Sequence, residues 1–394
     1  MKLGFQYQYH SKTRAIFSLN TLLSGLFCLY ILLGLIAYIQ TANGGGNFTR
    51  FPIIIGLSVF IIETLYLSRR YQFVYQLTGV LLLGFLLNVL LNNRESFLGS
   101  SNILSNIGIA LFLMRRSLAG FVSPFTYLLF GFVVAYFTYY FYNGIDPNAI
   151  FLNSSRNTVS WLLIVYSVII YIVSDKARLK TQVLPAVMTF IFSVMSYGRS
   201  GIISSFILLI GILLFTFYEN RKNAKFYILL TFIGILFMFF LSNGGDIGNT
   251  IYDISHYFHR LETKGLSDSD GREYIWNTYI SQMNMTRFLF GTNPKYDSSV
   301  ITFDSNYHNS FIGFHAVFGI ASIIFMFLML RAMVKLFNRN NLLLVMLIIL
   351  SFRAFTDNVL FFHTYDFLIY YLTVYPLIRT HQEALIDMKN KPKY

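Results

Sequence analysis

The chain has 394 residues, of which 55% are hydrophobic and only 12% charged, and its mean hydropathy is +0.57. That composition excludes a soluble globular enzyme and a disordered chain, and places the protein in the membrane class. The formal net charge of +13 does not point to nucleic acid, because the basic residues fall in short clusters between apolar runs, the pattern that topology selection produces.

A hydrocarbon core of about 30 Å needs roughly 20 apolar residues per helix. In chain order, runs of that kind predict twelve spans: 15–38, 51–68, 72–92, 102–119, 124–142, 158–175, 181–198, 200–218, 224–242, 309–334, 341–359 and 363–380. All are read as helices, since a bilayer offers unpaired backbone groups no partner. The first is too long and too apolar for a signal sequence, with no small-residue cleavage site behind it, so it is expected to be retained. It holds the single cysteine, Cys28, which rules out an intrachain disulfide. Pro185 is expected to bend the seventh span. Glu63 and Asp366 fall within spans and read either as pathway groups of a transporter or as polar contacts between helices. No internal repeat of the kind that inverted-repeat transporters carry is visible.

The fold expected is therefore an all-α polytopic membrane protein of about twelve transmembrane helices. It forms one integral membrane domain, 1–394, with a polar loop at 243–308 between the ninth and tenth spans. With the N-terminus placed in the cytoplasm, 20 of the 30 Lys and Arg residues lie on the cytoplasmic side. Each short outer connection then carries a single Arg. This bias predicts cytoplasmic termini and a long loop facing the outside or periplasm.

Four arginines on that outer side stand out: Arg199, Arg272, Arg287 and Arg353. Arg199 lies in the turn Tyr197-Gly198-Arg199-Ser200-Gly201. Glycines there would let backbone approach a ligand, and the start of the next helix suits a phosphate or pyrophosphate; an interfacial, snorkelling Arg is the plainer alternative. Arg353 stands four residues before Asp357, so the two share a helix face and are expected to pair. Asp304, Ser305 and Asn306 read as a cap, which puts His308 in the first turn of the tenth helix. A helix N-terminus disfavours imidazolium there and leaves a neutral ring able to accept a proton; a polar packing role is the alternative. His256 and His259 form a His-x-x-His pair, but the flanking residues match no metal site, and no metal is expected. The segment from Gly265 to Gly271 is expected to be mobile.

Three motifs in order resemble the O-antigen polymerase and ligase superfamily. They are Gly198-Arg199-Ser200-Gly201 ahead of a span, Arg272-Glu273-Tyr274-Ile275-Trp276 in the long loop, and, after Phe288-Leu289-Phe290-Gly291, the closing His308-Asn309-Ser310-Phe311 with Gly319 eleven residues past His308. The resemblance covers roughly 197–320, while the first half agrees only in its hydrophobic plan. It implies a GT-C-like glycosyltransferase of the bacterial inner membrane with its active site facing the periplasm. The donor would be an undecaprenyl-pyrophosphate-linked oligosaccharide, used without cofactor or metal, with membrane lipid as the surroundings and a chain-length-determining co-polymerase as partner. By the same resemblance, His308 is the base and Arg199 and Arg272 hold the pyrophosphate, with Arg287, Arg353, Asn309 and Trp276 as further site residues. Polymerisation of O-antigen repeat units is the activity expected. Ligation of finished glycan to lipid A-core is the alternative, and a lipid-linked oligosaccharide flippase or an envelope scaffold is the reading outside catalysis.

Overall fold

The computed structural model describes residues 18–46, 48–66, 69–92, 98–220, 272–303 and 305–390. The ninth predicted span, the His256–His259 pair, the Gly265–Gly271 segment and Asp304 lie outside these residues. Among the described residues the chain is helical and has no β-strand.

The membrane region starts with α1 (Leu19–Ala42), capped by the Ser18 hydroxyl on the Thr21 amide, followed by α2 (Arg50–Leu65) and α3 (Gln72–Leu91). Next come α4 (Leu98–Arg115), α5 (Val122–Tyr142), α6 (Asn157–Ala177), α7 (Leu184–Met195) and α8 (Arg199–Asn220). Two short helices, α9 (Arg272–Ser281) and α10 (Met285–Phe290), lie between the membrane helices. The chain finishes with α11 (Ser310–Phe318), α12 (Ile320–Phe337), α13 (Asn341–Thr356) and α14 (Phe367–Asn390). Six of the described helices, α1, α3, α5, α6, α8 and α12, are long and apolar enough to cross a bilayer. The protein is a multi-pass membrane protein. Its central pillar is α6, whose most apolar window is 94% buried by neighbours.

Two sequence expectations change. The tenth span is not one helix. It breaks at Gly319, whose φ of +53° ends α11 and starts α12, while its amide closes on the His315 carbonyl at 2.8 Å. A side chain at Gly319 would put Cβ 2.1 Å from the Leu289 carbonyl oxygen, so the break is packed against the loop and only glycine fits. Pro185 does not bend α7. It lies in the helix's first turn, where a missing amide proton costs nothing. Glu63 is a helix–helix contact, with ion pairs of 2.8 Å to both Arg115 and Arg116 at the end of α4. Asp366 accepts the Phe361 and His363 amides at 2.7 and 2.8 Å and so organises the entry to α14.

The helices alternate direction, which gives the bundle two distinct ends. At one, Asn20 at the start of α1 meets Ser117 at 3.1 Å, and Asn340 before α13 meets Asp175 late in α6 at 2.8 Å. At the other lie the end of α1, the starts of α6 and α8, the end of α13 and the described loop residues 272–303. The candidate residues gather at this second end.

Candidate active site

The second end is organised around Arg353, in the last turn of α13 and fully buried. Its guanidinium donates to the Ser200 hydroxyl, reaches the Asn157 carbonyl at 3.5 Å and lies 5.9 Å from the centre of the Trp161 ring. The expected pair with Asp357 is present, but at 3.7 Å it is loose. The reason is local. Asp357 is the C-cap of α13, with φ −156° and ψ 163°, so it leaves the helix. One of its carboxylate oxygens accepts the Asn157 side-chain amide at 3.4 Å and the other the Asn358 backbone amide at 2.9 Å. Arg353 Nε has no hydrogen-bond partner among the described residues. One carboxylate shared in this way does not saturate a buried guanidinium.

Arg199 is the first residue of α8, next to the Ser200 that Arg353 grips. Its side chain is half-buried and has no hydrogen-bond or ion-pair partner among the described residues. The flanking glycines have a packing role. A Cβ on Gly198 would lie 2.4 Å from Asn157 Oδ1, and one on Gly201 would lie 2.1 Å from Ser160 Oγ. They let α8 press against the start of α6, and that contact fixes where Arg199 emerges.

Arg272 opens α9 and is half-buried. Trp276, one turn on, packs its ring 5.3 Å from that of Phe355 on α13, which seats α9 on the bundle. Its indole N–H is buried with no hydrogen-bond partner among the described residues. Arg287 on α10 has another fate. It forms a 2.5 Å ion pair with Asp297, donates to Gln282 Oε1 at 2.8 Å and covers the Tyr279 ring at 4.1 Å. This is an internal tie of the loop.

His308 is not in the first turn of a helix. Asn309 is the cap, its side-chain oxygen taking the Phe311 and Ile312 amides at 2.9 and 3.2 Å, so α11 begins at Ser310. His308 stands one residue outside, half-buried, with φ +49° and its amide held by Asn306 Oδ1 at 2.9 Å. The cap moved because Asn309 reaches two of the helix's orphan amides, the function for which Asx residues are favoured at this position. Ser310 then binds the start of α11 to the end of α13. Its amide and hydroxyl donate to the Asp357 carbonyl at 3.2 and 2.7 Å, and its oxygen accepts the Val359 and Leu360 amides.

The Arg353–Asp357 junction is thus joined to the start of α8, which bears Arg199, through Ser200, to α9, which bears Arg272, through the Trp276–Phe355 contact, and to the residue pair after His308 through Ser310. Arg287 and Asn309 are occupied as an ion pair and a helix cap. Ser200 and Ser310 stand in the sequence motifs without a role of their own there, while nothing in the motifs points to Asn157, Ser160 or Asn88 of α3, whose side-chain amide donates to the Phe290 and Ala316 carbonyls at 2.7 and 3.0 Å. For Asn88 a signal existed: a lone amide inside an apolar run needs a partner. No group of three or more His, Cys, Asp or Glu able to hold a metal occurs among the described residues.

Fold and site together describe a multi-pass membrane protein with a buried, loosely paired arginine at one end of its helices. Residues 184–327 match the family model described as O-Antigen ligase. The match runs from α7 into α12, takes in Arg199, Arg272 and His308, and supports the O-antigen polymerase/ligase superfamily. No curated protein and no solved structure matches the chain.

Proposed function

We propose that this protein is a glycosyltransferase of the bacterial inner membrane that polymerises O-antigen repeat units. It would transfer the growing glycan from undecaprenyl pyrophosphate to a hydroxyl of a new lipid-linked repeat unit. The observation that supports this reading is a buried guanidinium, Arg353, with one loosely held carboxylate, at a junction joined to the segments that bear Arg199, Arg272 and His308. An excess of positive charge in a low-dielectric setting calls for an anion, and a pyrophosphate meets guanidiniums with paired oxygens.

In the step proposed, a ring nitrogen of His308 takes the proton of the acceptor hydroxyl as its oxygen attacks the donor's anomeric carbon. The bond from that carbon to the pyrophosphate oxygen breaks, and its electron pair leaves with undecaprenyl pyrophosphate. Arg199 and Arg272 offset the negative charge that builds on the leaving group. A single displacement inverts the anomeric centre. The site faces the periplasm in this reading, and chain length is set with a co-polymerase.

His308→Ala and Arg272→Ala are each expected to lower polymerisation at least about a hundredfold with protein still in the membrane, read as loss of the glycan ladder. Wild-type ladders from either variant would sink the assignment. Ligation of glycan to lipid A-core is the second reading, favoured by the description of the matching family. Deleting the gene separates the two. Loss of a polymerase leaves lipopolysaccharide bearing one repeat unit, whereas loss of a ligase leaves none.

A further inference from the structure

The residue before His308 is Tyr307, and its side chain is 1% exposed. Its hydroxyl donates to Asp297 Oδ2 at 2.7 Å, the same oxygen that Arg287 grips at 2.5 Å. The other Asp297 oxygen accepts the Ser299 amide at 3.0 Å and the Ser299 hydroxyl at 2.8 Å. The Tyr307 ring stands edge-on to Tyr279 at 5.4 Å, and the Tyr279 hydroxyl donates to His315 Nδ1 at 2.7 Å. On the other side of His308, Asn309 is 3% exposed and committed to capping α11. His308 is thus the half-buried link between two buried, fully engaged neighbours, and its backbone is left-handed, which costs a non-glycine residue free energy. Such a conformation persists where the surroundings over-determine it. Here the over-determination comes from a carboxylate clamp ten residues up the chain.

We infer that Tyr307 and Asp297, backed by Arg287, are positioning residues that aim His308 at the acceptor hydroxyl. The inference rests on the reading of His308 as the base. The clamp does not touch substrate. It removes the freedom of the Tyr307–His308 backbone, so that the imidazole reaches the reacting oxygen without a search. Displacing a reacting group by about 1 Å costs on the order of a hundredfold in rate, and a tyrosine hydroxyl lost from a buried carboxylate is enough to slacken the link.

The test is Tyr307→Phe, which keeps the ring against Tyr279 and removes only the hydroxyl, with Asp297→Asn as a second variant. Each is purified in detergent and assayed on lipid-linked repeat units extracted from cells lacking the protein. The stoichiometry and affinity of undecaprenyl pyrophosphate binding are measured alongside. Positioning predicts turnover reduced between about tenfold and a hundredfold, with binding stoichiometry unchanged and affinity within about twofold. Wild-type turnover in Tyr307→Phe overturns the inference. So does binding that falls in parallel with turnover, because the clamp would then merely hold the fold together. His308→Ala run in the same series keeps the two levels apart. If it turns over normally, the reading of the base fails and takes the clamp with it. If it is inactive while Tyr307→Phe is normal, only the clamp fails.

Discussion

Asp297 is a carboxylate whose side chain is buried in the loop, and burial alone would push its pKa up. The Ser299 amide, the Tyr307 and Ser299 hydroxyls and the Arg287 charge together outweigh that and hold it below its ordinary value of 3.8. The sign of the pH dependence follows. A depressed folded pKa means that the carboxylate's stabilisation is complete above pH 3.8 and is lost as pH falls through the lower folded value. Hydrogen exchange in peptides covering 285–303 is therefore expected to accelerate below that pH in the wild type, and Asp297→Asn should flatten the dependence. An unchanged profile in the variant would assign the acid sensitivity to another group. Little of this was legible in the sequence. Arg287 stood out as a charge on the outer side, but Asp297 lies ten positions away with no helical period between them, and only the folded loop brings them together.

Elements were read well where composition and period agree, and misread where backbone geometry overrides composition. The run 309–334 has the hydropathy of a single span, and a glycine inside such a run does not by itself announce the break that Gly319 makes between α11 and α12. The glycines beside Arg199 also supply close helix packing, which the motif alone does not reveal. Gly201 makes this testable. A methyl group there would meet Ser160 Oγ at 2.1 Å and Ser160 Cβ at 2.5 Å, so Gly201→Ala must push α8 away from α6. Overpacking of this kind costs about 1–3 kcal/mol, and the shift should also slacken the Ser200–Arg353 bond. A lower melting temperature and weaker undecaprenyl pyrophosphate binding are expected. Adding Ser160→Gly removes both clashing atoms and should restore each. If Gly201→Ala is as stable as the wild type, or the double variant is no better than the single, the close α6–α8 contact is not what these glycines are for.

At the level of the whole molecule, the two ends of the bundle differ in charge as well as in content. The end away from the site carries Arg69, Arg70, Arg115, Arg116, Lys176, Arg178, Arg331, Lys335 and Arg339, most of them close to the membrane helices, while the short connections at the site end hold isolated arginines such as Arg50 and Arg156. Short basic connections are retained in the cytoplasm, so the proposed orientation puts the guanidinium cluster on the periplasmic face. A flipped lipid-linked substrate would present its pyrophosphate on that same face. The single cysteine makes a direct measurement practical, because Cys28 is 6% exposed and sits inside α1, so background labelling is low. Leu152 is 81% exposed in the connection before α6, which the Asn153 amide ties to the end of α1 at 2.8 Å. Asn338 is exposed at the opposite end, in the turn between α12 and α13. In intact spheroplasts a membrane-impermeant maleimide is expected to modify Leu152→Cys, and to modify Asn338→Cys only after permeabilisation. The reverse pattern would turn the cluster toward the cytoplasm, where the acceptor and donor of the proposed reaction would meet it before translocation, and the periplasmic mechanism would have to be abandoned.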